Sequence, residues 1–224
     1  MIIPYNIGDF MKLSEGNIHF NSIANIPFSA LFSEESMSDI IRNKGKGGQL
    51  LELAIGLANT NTNRDFDDGE LKTNKCNSDG KPMETMAITQ ISSHIDELLA
   101  NKPFEETWLY QKIVNMLYVP VCKEGKPQDW FFFPSIHVQL NTDKFKDITA
   151  QLKEDYNYIC SELKKAVESD SELHTINGKY LQIRTKDSTP YHPIITKTYN
   201  KVISDKNRAF YFQKSFMNDI KTVI

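Results

Sequence analysis

The sequence predicts a mixed fold of the α/β or α+β class, in which short strands lie between helices around a mixed sheet. The longest periodic segment, residues 144–168, places apolar residues at helical spacing. Short apolar segments bounded by polar residues recur along the rest of the chain and are typical of strands. Strands interspersed with helices favour this fold class over an all-α or all-β one. A chain of 224 residues can form one large domain or two lobes.

The N-terminal part is predicted to contain two helices and a hairpin. The sequence Ser33-Glu34-Glu35-Ser36 favours a capped helix that continues to residue 42. Residues 48–58 are apolar on nearly all sides, which predicts a buried helix. After a polar loop, residues 65–73 predict a tight turn followed by a strand, because Asp-Asp-Gly is typical of turns.

The elements predicted after this hairpin follow the chain to its last residues. Strands are predicted at residues 83–91, 113–121, 130–133, 180–184 and 210–214, and helices at residues 144–168 and 216–223.

Composition excludes several classes of protein. Apolar residues make up 40% of the chain and charged residues 25%, as in globular domains. No apolar run is long enough to cross a bilayer, and no signal-peptide pattern precedes the first predicted helix. Cys76, Cys122 and Cys160 are odd in number and widely spaced, which indicates neither a disulfide framework nor a zinc site. We therefore expect a protein of the reducing cytoplasm, without a membrane partner.

Charge is distributed unevenly along the chain. The net charge is −3, but residues 164–224 carry 11 Lys and Arg against 6 Asp and Glu, a net of +5. The remaining residues have a net charge of −8. One interpretation is that an acidic part of the chain, which can hold a metal ion, is joined to a basic part, which can hold phosphates. Chance unevenness on a solvated surface is the other.

The hairpin at residues 65–73 carries the most informative chemistry. Side chains two apart on a strand share a face, so Glu70 and Lys72 emerge together while Leu71 faces the core. The turn returns Asp65 to the side of Glu70, and converging carboxylates favour a hard cation such as Mg²⁺. A lysine beside that cation can hold a water, which is the layout of a metal-dependent nuclease. Glu52, the only charged residue between Gly47 and Asn59, would share the metal or else face water.

Five segments in the same order resemble the MutH-like endonucleases of the PD-(D/E)xK superfamily. This family contains mismatch-repair nickases and type II restriction enzymes that cut GATC. The segments are Lys44–Glu52 followed by Asp65-Phe66 and Glu70-Leu71-Lys72-Thr73; Gly80-Lys81-Pro82-Met83-Glu84-Thr85; Lys112 to Val121; Gly178-Lys179-Tyr180-Leu181-Gln182-Ile183-Arg184-Thr185-Lys186; and Arg208 to Phe216. The resemblance implies a restriction-endonuclease-like fold with two lobes around a DNA-binding cleft, a catalytic lobe near residues 1–140 and a recognition lobe near residues 141–224.

The resemblance also implies the active-site residues. Glu52, Asp65 and Glu70 would hold Mg²⁺, for which Mn²⁺ would substitute, Lys72 would serve the attacking water, and Lys112 would line the site. Paired metal ions lie about 3.5–4 Å apart in such sites and need several acids.

The same resemblance assigns DNA recognition to the basic part of the chain. Arg184 and Lys186 share one face of a strand, and an arginine can bond guanine bidentately. Tyr211 would lie near an adenine and sense its methylation, and Glu84 would accept from a cytosine amino group. Lys214, in the last matching segment, completes the predicted DNA contacts. Solvated strand residues, or for Tyr211 a core aromatic, are the alternative interpretations.

Two departures from the family pattern affect the interpretation. The family shows Asp-Phe-Pro-Glu-Leu-Gly-Ile-Glu-Leu-Lys, and the hairpin here is two residues shorter, so Asp67 or Asp68 can replace Asp65 as the metal acid. Thr185 stands where the family has proline.

We expect a type II restriction enzyme that cuts double-stranded DNA at GATC or a related site, leaves a 5′-phosphate and works beside an adenine methyltransferase. The alternatives are a mismatch-repair nickase for hemimethylated GATC with a MutL-type partner, and a DNA-binding module without catalysis.

Overall fold

The computed structural model describes residues 11–42, 65–186 and 193–223. Helices and strands are mixed in these ranges, and the sheets are flanked by helices, so the predicted fold class is confirmed. The described residues form two compact units, one with residues 11–42, 65–84 and 114–139, the other with residues 85–113, 140–186 and 193–223. The units interleave along the chain, whereas the predicted lobes are consecutive. The assignment of catalysis and recognition to separate lobes stays a prediction.

The described elements are numbered here in chain order. The α-helices are α1 (Leu13–Ile23), α2 (Phe28–Leu31), α3 (Glu34–Arg42), α4 (Ile95–Leu99), α5 (Trp108–Ile113), α6 (Lys146–Glu168) and α7 (Lys214–Thr222). The strands are β1 (Glu70–Cys76), β2 (Met86–Gln90), β3 (Asn115–Cys122), β4 (Phe131–Phe132), β5 (Ile136–Gln139), β6 (Ile176–Asn177), β7 (Leu181–Thr185), β8 (Ile194–Thr196), β9 (Lys201–Ser204) and β10 (Arg208–Phe212). None of the described helices is both long enough and apolar enough to span a membrane.

The first unit is organised around β3. This strand pairs in parallel with β1 and antiparallel with β4 and β5. Leu71 from β1 packs with Leu117 and Val119 from β3 and with Phe20 from α1 in one apolar core. Burial of apolar surface stabilises by roughly 25 cal/mol per Å², so this core fixes one face of β1 against the helices. The other face of β1 carries polar side chains.

The second unit contains an antiparallel sheet in the order β2-β10-β7-β6 and a separate β8–β9 hairpin. Helix α6 packs against β6 and β7 and contacts α7. Its buried residues Ile148, Leu152, Ile159 and Leu163 lie at the predicted helical spacing. Phe216 of α7 stacks on Phe212 of β10, with ring centroids 4.0 Å apart.

Several predicted boundaries are wrong by a few residues. The strand predicted at 113–121 begins at Asn115, because Ile113 ends α5. The strand predicted at 83–91 shortens to Met86–Gln90, because the Met83 N–H donates to the Lys75 carbonyl on β1 at 2.8 Å, outside the sheet that contains β2.

Three further predictions concern the strand at 210–214, the helix at 48–58 and the cysteines. The strand predicted at 210–214 ends at Phe212, and Lys214 instead begins α7. The helix predicted at 48–58 lies outside the described residues. Cys76, Cys122 and Cys160 are buried free thiols.

Candidate active site

A two-residue turn precedes β1. Phe66 and Gly69 form an isolated antiparallel bridge, and the Phe66 N–H donates to the Gly69 carbonyl at 3.1 Å. Asp67 and Asp68 occupy the exposed turn between them. A side chain at position 69 would place its Cβ 2.5 Å from the carbonyl oxygen of Asn115. Glycine therefore allows the turn to approach the start of β3 more closely than any other residue would.

The three aspartates of the hairpin have different environments. The Asp65 Oδ2 accepts from the backbone N–H of Leu71 at 2.8 Å, so the turn returns Asp65 beside β1, as the sequence predicts. The Asp68 Oδ1 accepts from the backbone N–H of Leu13 at 2.8 Å and thereby ties the turn to α1. The Asp67 side chain is exposed, and its backbone N–H donates to the Met11 carbonyl at 3.2 Å.

Glu70 and Lys72 form an ion pair on the polar face of β1. The Lys72 Nζ lies 2.8 Å from the Glu70 Oε2, and the two side chains are 13% and 5% exposed. Leu71 between them is buried in the core, so the predicted alternation of faces is confirmed. A carboxylate this deeply buried requires a compensating charge, and Lys72 supplies one.

Asn74 continues the same face of β1 and was not singled out by sequence analysis. Its Oδ1 accepts from the buried Tyr118 hydroxyl, and its Nδ2 donates to the Glu84 carbonyl at 3.4 Å. Burial and the neighbouring Cys76 thiol raise the pKa of Tyr118 above its usual value, so this phenol stays protonated and remains a donor. The signal available in the sequence was the two-residue spacing of Glu70, Lys72 and Asn74.

Asn115 supports the turn from the start of β3. Its Nδ2 donates to the backbone carbonyl of Asp68 at 2.6 Å, and its Oδ1 lies 2.8 Å from His137 Nε2 on β5. Because the Asn115 Oδ1 can only accept, the His137 Nε2 must carry the proton in this contact. Burial lowers the pKa of His137 and the nearby Asp68 carboxylate opposes that shift. Asn115 on β3 therefore holds the hairpin, and His137 on β5 in turn holds the Asn115 side chain.

Lys112 and Glu52 are the remaining predicted catalytic residues. Lys112 is half-buried in α5 of the second unit. Glu52 lies outside the described residues.

Three of the predicted recognition residues, Arg184, Lys186 and Tyr211, lie on or beside β7. Arg184 is exposed, and its guanidinium carbon lies 4.4 Å from the centre of the Tyr211 ring. Tyr211 on β10 is only 8% exposed, and its register partner on β7 is Gln182. A guanidinium over an aromatic face is attracted by the ring quadrupole, which stabilises the contact by about 0.5–1 kcal/mol at exposed sites. This stack holds the Arg184 head group over a rigid surface.

Sequence analysis did not identify Gln182 as a neighbour of Arg184 and Tyr211. It lies two residues before Arg184 on the same strand face, is 6% exposed, and its buried Nε2 makes no hydrogen bond. Lys186, two residues beyond Arg184, continues the face at the end of β7, where its backbone N–H donates to the Asn207 carbonyl at 2.9 Å.

Glu84 and Lys214, the other two predicted DNA contacts, are both exposed. The Glu84 Oε1 accepts from the backbone N–H of Lys75 at 3.3 Å, so its carboxylate lies along β1 in the first unit. Lys214 is the first residue of α7 in the second unit.

The donor set beside the turn suits a hard cation. The Asp65 carboxylate contacts the peptide next to Glu70, and both residues offer only oxygen ligands, which Mg²⁺ prefers. Among the residues that the structure describes, no group of three or more His, Cys, Asp or Glu side chains is arranged to hold a metal ion. Asp65 and Glu70 therefore fit part of a magnesium site, and a complete site requires a further ligand.

Comparison with known proteins gives one informative similarity. No family model matches the chain. A DNA mismatch repair protein MutH from Buchnera aphidicola subsp. Baizongia pistaciae is 28% identical over 196 residues, which cover 80% of this chain and 81% of the relative. The similarity extends over most of both proteins, in agreement with the five segments, spread along the chain, that resemble this family. This similarity supports a relationship to the MutH-like endonucleases.

Proposed function

We propose that this protein is a Mg²⁺-dependent, sequence-specific DNA endonuclease. The observation that carries the proposal is the buried Glu70–Lys72 pair on β1, with the Asp65 carboxylate bonded to the peptide between them. This combination joins oxygen ligands for a cation to a lysine within reach of the same carboxylate. The relationship to the MutH-like endonucleases supports DNA as the substrate.

The residues of this hairpin have separate roles in the proposed reaction. Asp65 and Glu70 would hold Mg²⁺, with Glu52 as the further acid. The bound cation would make a water easier to deprotonate and offset negative charge on the phosphate. Lys72 would orient the attacking water and stabilise charge that develops on the phosphate oxygens. Lys112 would line the site. Cleavage would leave a 5′-phosphate and a 3′-hydroxyl.

Base recognition would come from the surface of β7 and β10. Arg184 would bond a guanine, Lys186 a base or a phosphate, and Tyr211 would lie near the adenine, with Glu84 and Lys214 as further DNA contacts. A bidentate arginine contact discriminates against the wrong base by about 1–3 kcal/mol. The exposed position of Arg184 over the Tyr211 ring supports this role.

Within this function we favour a type II restriction enzyme that cuts at GATC or a related short site, with an adenine methyltransferase as its system partner. The motivation is the two-residue turn at Asp67 and Asp68, which is shorter than the family pattern. The second candidate is a nickase for hemimethylated GATC that needs a MutL-type partner, and the similarity to the Buchnera mismatch repair protein favours it.

Cleavage of defined oligonucleotides tests the function and separates the candidates. We expect the purified protein with Mg²⁺ to cut both strands of an unmethylated GATC duplex and to leave a duplex with one changed base pair intact. Feeble cleavage that rises sharply on addition of a MutL-type protein would favour the repair nickase. Specific binding without cleavage in Mg²⁺ or Mn²⁺ would contradict the endonuclease proposal.

A further inference from the structure

Asp155 is a buried carboxylate in the middle of α6, far in sequence from the groups that it binds. It is 4% exposed and accepts hydrogen bonds from the consecutive backbone N–H groups of Lys179, Tyr180 and Leu181. The Lys179 and Leu181 bonds measure 3.0 and 2.9 Å, and the Gln151 amide adds a bond of 3.1 Å to Oδ1. A charged acceptor shared by several N–H groups is a strong anchor, because each such bond is charge-assisted.

Gly178 permits this contact. A Cβ at position 178 would lie 2.4 Å from the Asp155 Cγ and 2.7 Å from its Oδ1. Such distances are far below van der Waals contact, so any side chain there would displace the carboxylate. Asp155 and Gly178 therefore form one matched contact between α6 and the segment before β7.

The anchored segment leads directly into β7. Leu181 is the first residue of this strand, and Arg184 follows three positions later. The carbonyl of Tyr180 accepts from the Gln213 N–H at 2.7 Å, and the Tyr180 hydroxyl donates to Asp219 Oδ2 at 2.7 Å. The start of β7 is consequently held by α6 on one side and by the α7 segment on the other.

We propose that Asp155 is a positioning residue for base recognition: it fixes the start of β7 and thereby the placement of Arg184 and Lys186. This inference rests on the proposed function. Bidentate bonding to a base edge depends on the position of the guanidinium to within a fraction of an ångström. Phosphate contacts tolerate more movement and carry no sequence information. Loss of the anchor would therefore reduce discrimination between DNA sequences more than it reduces general DNA affinity.

The test measures binding of the full chain to a cognate and a one-base-changed duplex in Ca²⁺, by fluorescence anisotropy. Asp155→Asn keeps the shape of the side chain but turns an NH2 group toward backbone N–H donors. We expect the ratio of cognate to non-cognate affinity to fall by at least about fivefold, the lower limit of what one bidentate base contact supplies. The matched control is Ile159→Val, which trims a fully buried apolar residue of the same helix that makes none of the hydrogen bonds to residues 179–181. This control should retain the wild-type ratio.

The outcomes separate this inference from the proposed function. If Asp155→Asn is folded and keeps the wild-type affinity ratio, the positioning role is overturned. If the wild-type protein itself binds both duplexes equally, the proposed sequence-specific function fails and the inference fails with it. If Asp155→Asn does not fold, Gly178→Ala perturbs the same contact from the other side. A lower ratio in that variant supports the inference, and an unchanged ratio overturns it.

Discussion

Strands β1 and β7 are the two functional strands of the proposal, and they are held in different ways. At the start of β1, Asp65 accepts from the Leu71 N–H only six residues away, and Asn115 of β3 supports the turn. The start of β7 is held by Asp155, which lies 24 to 26 residues from the N–H groups that it accepts. A local contact thus places Asp65 beside β1, whereas contacts between distant segments hold the strand that carries Arg184.

The functional side chains of the two strands also differ in their exposure to solvent and in their partners. On β1 the opposite charges of Glu70 and Lys72 pair with each other and are largely shielded from water. On β7 the Arg184 side chain is exposed and rests on an aromatic ring. A shielded ion pair suits chemistry at a fixed point, and an exposed cation on a rigid platform suits contact with a partner.

The largest effect is expected on β1, from Lys72→Ala. Cleavage should fall by at least about a hundredfold, the effect typical of losing one group that stabilises charge in a transition state. Binding of cognate DNA in Ca²⁺ should remain nearly intact, as measured by anisotropy beside a gel-based cleavage assay. Lys75→Ala is the matched control, because Lys75 is an exposed residue on the opposite face of the same strand. A fully active Lys72→Ala protein would remove Lys72 from the mechanism.

The next effect is expected on β7, from Arg184→Ala. Affinity for the cognate duplex should fall by about 5- to 100-fold, corresponding to the loss of a bidentate base contact. Affinity for unrelated DNA should fall much less, because only base contacts carry sequence information. The control Lys164→Ala removes an exposed cation from α6 in the same unit. Equal losses on all duplexes would make Arg184 a phosphate contact.

A smaller effect is expected where the structure supports the β1 turn. Asn115→Ala removes the bonds to the Asp68 carbonyl and to His137 Nε2, and each such bond contributes about 1 kcal/mol to stability. The melting temperature should fall by about 4–8 °C, as is typical of losing both bonds in a protein of this size. Cleavage should fall while DNA binding is retained.

Asn21→Ala serves as the control for that experiment, because it loses a side-chain bond to the Ser135 N–H elsewhere in the same unit. Similar cleavage by the two variants would show that the turn needs no support from Asn115.

The smallest effect is expected in the pH dependence of stability. Burial lowers the pKa of His137 below the usual 6.5, so the unfolded chain binds this proton more readily than the folded one. The contribution of neutral His137 to the stability of the folded protein is therefore complete above pH 6.5, and it is lost progressively as the pH falls below that value. Chemical denaturation at several pH values should show a flatter dependence for His137→Gln, which keeps an N–H donor toward Asn115. An identical dependence in both proteins would contradict this assignment.

The elements that sequence could predict are those with local signals. Alternation at Glu70, Leu71 and Lys72 gave the two faces of β1, and the Asp-Asp-Gly turn gave the return of Asp65. The spacing of buried residues in α6 gave the longest helix. Each of these signals lies within one turn or one element, where residue type and period determine the geometry.

The contacts that sequence could not predict join residues far apart in the chain. Neither Asp155 nor Asn115 has a local pattern that points to its partner, because such pairs arise only when separate elements pack. The β8–β9 hairpin escaped prediction because Ile195 and Val202 are apolar residues at exposed positions, so apolar and polar residue types do not alternate along these strands.

The central claim is that Asp65 and Glu70 hold a divalent ion beside Lys72 so that water can break a DNA strand. The most direct measurement is a crystal of the protein with cognate duplex and Mn²⁺, examined for anomalous scattering. The account predicts a manganese peak bound by the carboxylates of Asp65 and Glu70 next to the scissile phosphate. A well-ordered complex with no peak at these carboxylates would contradict it.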